Sequence, residues 1–281
     1  MADGLLDPRR VRELAAELDL RPSKQRGQNF VHDANTVRRI VAVAKLEPDE
    51  VVLEIGPGLG SLTLGLLEAV AHVTAIEIDD RLARRLSSTV TERQPGAEQR
   101  LHVIEADALR IDTLPDPQPT AVVANLPYNV SVPVLLHLLA RFDTVRHGLV
   151  MVQSEVADRL VAAPGSKVYG VPSVKLAWYC SARRAGSVPP AVFWPVPNVD
   201  SGLVGLERRD PPATTASREQ VFALVDAAFA QRRKMLRSAL SGVFGSSAQA
   251  ADALERAGID PTVRGEVLSV ADFAALAEQL G

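Results

Sequence analysis

The chain of 281 residues is 47% hydrophobic and 23% charged, the make-up of a folded globular chain long enough for one large core and a smaller second unit. Its single cysteine, Cys180, excludes an internal disulfide and a cysteine-based metal site; charges scattered through Met1 to Leu20 argue against a signal peptide and no apolar run is of bilayer length, so a cytoplasmic location without a membrane partner is expected. A net charge of −3 weighs against nucleic-acid binding through bulk charge and leaves that role to local patches.

In chain order, Val11, Leu14, Ala15 and Leu18 fall at helical spacing, residues 21–33 read as a polar loop around Gly27, and residues 35–44 return to helical periodicity. Val51 to Ile55 has the pattern of a buried strand, ends in Gly56-Pro57-Gly58-Leu59-Gly60, and leads into a predicted helix over 61–71. A second strand (72–78), a helix (80–90), a third strand (101–104), a fourth (120–124) that stops at Asn125, a helix (133–140) and a fifth strand (148–153) follow. This alternation predicts an α/β fold with a doubly wound, mostly parallel sheet, helices on both faces, and ligands outside the carboxyl ends of the strands. Residues 207–217 are charged and proline-bearing, as in a linker. Beyond them only helical patterns appear: Val221, Leu224, Val225, Ala228 and Phe229 make one apolar face, continued by Leu236, Ala239 and Leu240, and Ser269 with Asp272 gives a capping-box signal for the last helix. The expected division is an α/β domain over 1–206 and a small helical domain over 207–281.

The glycine turn after the first strand suits a nucleotide, because glycines let the backbone approach a ligand and the next helix presents free N–H groups. A dinucleotide site wants a third glycine where Ser61 stands. The spacing Gly56-x-Gly58-x-Gly60 better fits S-adenosylmethionine, which has no phosphate and whose methionine part needs room. Glu77, ending the second strand, is placed to accept hydrogen bonds from both ribose hydroxyls; nicotinamide cofactors are held the same way, so it reports a ribose and not which cofactor. Asp107, ending the third strand, is either an acceptor for an adenine amino group or a turn residue.

Asn125-Leu126-Pro127-Tyr128 follows the fourth strand, where an active site belongs. An aromatic amine is a poor nucleophile because its lone pair is delocalised into the ring. Two acceptors on its N–H groups turn the nitrogen toward sp³ geometry and aim the lone pair at a methyl group. The Asn125 side-chain oxygen is one acceptor, the Pro127 carbonyl is read as the second, and Tyr128 offers a face for the base, worth about 1–3 kcal/mol. A sulfonium is already a good leaving group, so alignment, worth on the order of 7–11 kcal/mol, suffices without a strong base. His32, His72, His102, His137 and His147 are scattered and read as structural, and no metal is expected. The bland alternative for the turn is an Asn-x-Pro bend with an aromatic packed beneath it.

Together these residues resemble the rRNA adenine N6-dimethyltransferases over nearly the whole chain. Lys24 to Val31 is similar to the family's N-terminal motif, with valine where leucine is usual. Glu54 to Thr63 resembles its cofactor loop, Glu105-Ala106-Asp107-Ala108 its Gly-Asp-Ala, Asn125 to Asn129 its catalytic signature, and Phe193 to Ser201 its Phe-x-Pro-x-Pro-x-Val-x-Ser motif. The resemblance implies a Rossmann-like methyltransferase with cofactor contacts at Asn29, Val31, Gly56, Gly58, Glu77, Asp107 and Asn125. It also implies that Phe193 closes on the base opposite Tyr128; from the residues alone Phe193 is a core or turn aromatic. Of the two branches, Gln231 to Leu236 and Gly258 to Leu268 look like the one that dimethylates two adjacent adenines near the 3′ end of 16S rRNA in the immature small ribosomal subunit. The alternative is the large-subunit rRNA methyltransferase branch that confers macrolide resistance.

Arg232, Arg233, Lys234 and Arg237 lie on a predicted helix as either an RNA-binding patch or a solvated face, reinforced by Arg183, Arg184, Arg208 and Arg209. A monomer is expected. The rival readings are a DNA adenine methyltransferase, disfavoured by Leu126 in place of proline, a nicotinamide-dependent oxidoreductase, and an assembly factor whose catalysis is secondary.

Overall fold

The computed structural model describes residues 4–20 and 29–280. The chain divides into two compact units, Met1–Ala157 with Arg183–Arg208, and Asp158–Ala182 with Arg209–Gly281. The boundary after 208 lies close to the expected 206, but residues 158–182, expected in the α/β domain, go with the helical unit. Lys24 to Gln28 of the N-terminal motif fall outside the described residues.

Helix α1 (Pro8–Glu17) starts at Asp7, whose side chain accepts from Arg10 N at 2.8 Å, with proline at the first helical position. Strand β1 (Phe30–Val31) interrupts the expected loop, and α2 (Ala34–Ala44) is capped by Asp33. Then come β2 (Val51–Ile55), α3 (Ser61–Leu67), β3 (His72–Glu77), α4 (Asp80–Arg93), β4 (Leu101–Glu105), β5 (Ala121–Asn125), α5 (Ser131–Arg141), β6 (His147–Gln153) and α6 (Ser154–Leu160). After α7 (Val171–Tyr179), three strands complete the set: β7 (Cys180–Val188), β8 (Phe193–Trp194) and β9 (Ser201–Arg208).

The main sheet has seven strands in the order β4-β3-β2-β5-β6-β9-β7. Neighbours are parallel from β4 to β6, and β9 runs antiparallel to β6. All five residues of β2 are buried, as expected for a strand with neighbours on both edges and helices on both faces. The chain winds one way through β2, β3 and β4 and the other way through β5 and β6, so the switch lies between β2 and β5. There the ladder consists of Val52↔Ala121 and Leu53↔Val122 and stops short of both carboxyl ends, whereas β2 pairs β3 through Ile55↔Ile76. A crevice at this point is where doubly wound sheets bind ligands. A separate ribbon pairs Phe30 with Trp194 and Val31 with Phe193.

Arg208 caps the end of α5 from within: its Nη2 donates to the carbonyls of Leu139 (3.0 Å) and Phe142 (2.8 Å), and its Nε to Val145 O. It is thus a structural cation and not part of a basic patch.

The second unit holds α8 (Arg218–Ala230), α9 (Leu236–Ala239), α10 (Ser241–Phe244), α11 (Ser247–Arg256) and α12 (Val270–Ala277) beside α7. Ser217 and Ser269 open α8 and α12 with reciprocal capping boxes. Its core is aromatic: Phe222 meets Trp178 and Tyr179 edge-on, and Phe229 packs against Tyr169 and Phe273. Of the basic residues expected on a helix, Arg237 lies in α9, but Arg232, Arg233 and Lys234 lie in the turn between α8 and α9. Arg232 is committed there to Glu266 at 3.1 Å and to the Lys167 carbonyl at 2.7 Å, leaving Arg233, Lys234 and Arg237 exposed. Among the described residues no helix is long and apolar enough to cross a membrane.

Candidate active site

At the carboxyl edge of the first unit's sheet lies a cavity of about 450 Å³. The turn after β2 forms its floor. Gly56, Gly58 and Gly60 have φ of +64°, +60° and +95°, backbone that non-glycine residues adopt only with strain. At Gly58 a Cβ would also stand 2.8 Å from two ring carbons of Phe30. Glu77, at the end of β3, is buried beside the turn. Its Oε2 accepts from Gly58 N at 3.1 Å and its Oε1 from Asp79 N at 3.0 Å. Burial pushes its carboxyl above the usual carboxylate range, and these two N–H groups oppose the rise. Asp79 caps α4 and pairs with Arg81 at 3.1 Å. Asp107 is a turn residue, its Oδ1 accepting from Leu109 N at 2.9 Å, and it also lines the cavity.

Asn125 stands at the end of β5, on the far side of the switch. Its Nδ2 donates to the Asn29 carbonyl at 3.1 Å. That contact fixes the amide orientation, so Oδ1 is the atom offered as an acceptor. Pro127 lines the cavity, and its carbonyl accepts from Val130 N at 3.2 Å. The Leu126 N–H donates to Met151 O, while the Leu126 carbonyl has no hydrogen bond among the described residues.

The cavity therefore gathers Asn29, Gly56, Gly58, Glu77, Asp107, Asn125 and Pro127 of the expected residues. Three others are not on its wall. Val31 is buried in the β1–β8 ribbon, and its partner Phe193 is 0% exposed within the hydrophobic core. Tyr128 is half-buried with its hydroxyl 2.8 Å from Ser201 Oγ, and burial pushes its phenol up. The sequence reading missed Ile78, which lines the cavity although 70% exposed, and Asp79 and Leu109; Asn129 of the catalytic signature is also on the wall. An exposed isoleucine directly after a strand-end acid was a usable signal, but it was absorbed into the strand pattern.

Residues 20–281 match the family model for ribosomal RNA adenine dimethylase. The chain belongs to that family. As a ribosomal RNA adenine dimethylase it is an S-adenosylmethionine-dependent methyltransferase. Its curated relatives include ribosomal RNA small subunit methyltransferase A of Kineococcus radiotolerans, 67% identical over 98% of this chain and 91% of the relative. The protein of the same name in Thermobifida fusca is 64% identical, over 98% and 96%. These likenesses put this dimethylase in the small-subunit branch. Among solved structures, a dimethyladenosine transferase from Plasmodium falciparum shares the fold with a TM-score of 0.73 at 23% identity, covering 88% of this chain and 95% of that one. The 23S rRNA methyltransferase ErmE is 28% identical with a TM-score of 0.65, over 90% and 99%. The fold is thus common to both branches, and the identities, not the fold, separate them.

Proposed function

We propose that this dimethylase converts two adjacent adenines near the 3′ end of 16S rRNA to N6,N6-dimethyladenines, acting as a monomer on the immature small subunit in the cytoplasm. The observation that carries the cofactor half is the charge of the cavity. Among the described residues its lining includes the acids Glu77, Asp79 and Asp107 and no lysine, arginine or histidine. A pyrophosphate there would face three carboxylates, which disfavours a nicotinamide dinucleotide; a ligand bearing a sulfonium and an ammonium is favoured.

When bound, S-adenosylmethionine supplies a methyl group already activated on a cationic sulfur. Glu77 accepts from the ribose hydroxyls, Gly56 and Gly58 give the methionine part close access, and Asp107 takes the adenine amino group with the carboxylate oxygen that Leu109 does not use. Ile78 offers that adenine an apolar face. Asn29 borders the methionine end, and Val31 holds Asn29 in place through the β1–β8 ribbon. On the target base, Asn125 Oδ1 accepts one N6–H. The second acceptor is a carbonyl of the same turn: Pro127 O already takes the Val130 N–H, so Leu126 O is the better placed of the two. Tyr128 stacks on the base, and Phe193 reaches its other face only if the β1–β8 ribbon shifts. Once alkylated the nitrogen loses its proton to water, so no strong base is needed. Arg233, Lys234 and Arg237 of the helical unit contact phosphates of the folded particle, whose target adenine is splayed from its stack.

Primer extension across both rRNAs, after incubating the protein and S-adenosylmethionine with immature small subunits and with large subunits, tests the reading. Strong stops at two neighbouring small-subunit adenines are expected. A stop at one large-subunit adenine instead would transfer the chain to the resistance reading. Equal rates on short naked oligonucleotides would remove the particle from the proposal.

A further inference from the structure

Resting on that reading, we infer that Ser201 is a positioning residue: its buried hydroxyl anchors the ring of Tyr128 at the catalytic turn. Ser201 ends the Phe193–Ser201 motif, is 0% exposed, and has its Oγ 2.8 Å from the Tyr128 hydroxyl. Its own place is fixed from two sides. As the first residue of β9 it stands opposite Gln153 on β6, and the preceding Asp200 carbonyl accepts from Ser154 N at 2.9 Å. Strand β6 in turn pairs with β5, whose last residue is Asn125. The strand ends that present the catalytic asparagine and the anchoring serine are therefore held in one hydrogen-bonded frame.

Tyr128 is gripped at both ends. Its main chain lies in the turn closed by Leu126 N to Met151 O at 3.0 Å and Val130 N to Pro127 O at 3.2 Å, and its hydroxyl is held by Ser201. A ring fixed at its Cα and its phenol oxygen keeps rotation about its long axis but cannot swing away. Phenylalanine would offer the same stacking area without the anchor, which accounts for tyrosine at 128. It also gives the Phe193–Ser201 motif a mechanical sense. One end is sunk in the core as Phe193, the other holds the stacking ring, and Val196 and Val199 between them are exposed.

The test is a double-mutant cycle of Ser201→Ala and Tyr128→Phe on immature small subunits, with kcat, KM for the particle, S-adenosylmethionine Kd and melting temperature measured for each protein. Losing one hydrogen bond worth about 0.5–1.5 kcal/mol predicts a fall in kcat of about two- to tenfold for either single variant. S-adenosylmethionine Kd should stay within about twofold, and the double variant should fall no further than the singles, the signature of one shared interaction. The inference is overturned if Ser201→Ala leaves kcat unchanged, if its effect is as large in the Tyr128→Phe background as in the wild type, or if it weakens cofactor binding as much as it slows turnover. Should Ser201→Ala not fold, Tyr128→Phe decides alone: slower turnover at unchanged melting temperature and cofactor Kd supports the anchor, and unchanged turnover removes it. A wild-type protein that does not methylate the paired adenines would instead count against the proposed substrate, and the same assay reports that separately.

Discussion

On one side of Asn125, the ends of β2, β3 and β4 bring Gly56, Gly58, Glu77 and Asp107 to the wall of a single cavity. On the other side, Tyr128 is tied to Ser201, and Phe193 lies in the core. The first side is made of backbone conformation and of carboxylates held by main-chain N–H groups, both set once the sheet has formed. The second is made of aromatic side chains, whose large apolar area is stabilised by whatever covers it. For Phe193 that cover is the hydrophobic core. The glycine and carboxylate side is thus set by folding, as is Tyr128 through Ser201, while Phe193 belongs to the core, and cofactor should bind without RNA.

The largest expected effect tests the buried end of that contrast. Phe193→Ala would open a cavity in a fully buried cluster and should cost about 3–5 kcal/mol of stability, seen as a lower urea midpoint. Phe193→Leu stays apolar and leaves a smaller cavity, so it should cost less than the alanine variant. If the leucine variant keeps its stability and cofactor affinity yet methylates more than about tenfold more slowly, the ring serves the base. Full methylation would make Phe193 a core residue alone.

Asn125 sits on the seam. Removing a single preorganised hydrogen-bonding group at a reacting centre costs about 10²–10³ in rate, and Asn125→Ala should do so in single-turnover methyl transfer while cofactor Kd rises less than about tenfold. Equal losses in both would assign the asparagine to the cofactor side. Gly58→Ala probes that side directly. The left-handed backbone costs about 1–2 kcal/mol with a Cβ, and here Phe30 must also move. Calorimetry should show cofactor Kd raised by at least about tenfold. Gly96, at φ +92° with nothing within 4 Å of its would-be Cβ, is the control: Gly96→Ala carries the backbone strain and should leave cofactor Kd unchanged.

The same contrast explains what the sequence disclosed. Gly56, Gly58, Glu77 and Asn125 were legible because a main-chain requirement or a strand end leaves a residue type at a fixed spacing. The positions of Tyr128 and Phe193 were not, since an aromatic serves a core and a base equally well. Strands β7 and β9 were also missed. In β9 a Cβ at Gly202 would run into the Arg184 guanidinium, and Gly205 lies under Arg183, so glycines of β9 make room for arginines of β7. Glycine in a strand and arginine beside it read locally as a turn and a surface. Residues 158–182 go with the helical unit, where Tyr169 and Trp178 meet Phe229 and Phe222, partners 60 and 44 residues further on, beyond the reach of any local pattern.

Glu77→Gln should have a smaller effect. Glutamine has one acceptor oxygen for the two N–H groups of Gly58 and Asp79, and an unsatisfied buried donor costs about 1–3 kcal/mol. Part of that falls on folding and part on cofactor binding, so a Kd rise of about tenfold is expected by calorimetry. No change would mean that the ribose is held elsewhere, and the preorganisation argument would then rest on the glycines alone.

The smallest effect concerns what lies beneath the glycine turn. Glu54 on β2 is 1% exposed and accepts from Thr63 Oγ1 at 2.7 Å. Burial pushes its carboxyl up to about 8, nearby Glu77 adds to the rise, and the Thr63 hydroxyl opposes it. Because the folded value lies above the unfolded one of 4.5, the native state keeps a proton through the window between them that the unfolded chain releases. Stability should therefore fall as pH rises from the unfolded value toward about 8, and the loss should level off above it. Glu54→Gln keeps an oxygen for Thr63 and has no proton to lose. It should melt with the wild type near about pH 4.5 and above it near about pH 9, the gap in stability widening as the native wild type is made to give up its proton. If the two melting curves run parallel across this range, Glu54 does not change its ionisation there, and the cofactor side is not built over a neutral acid.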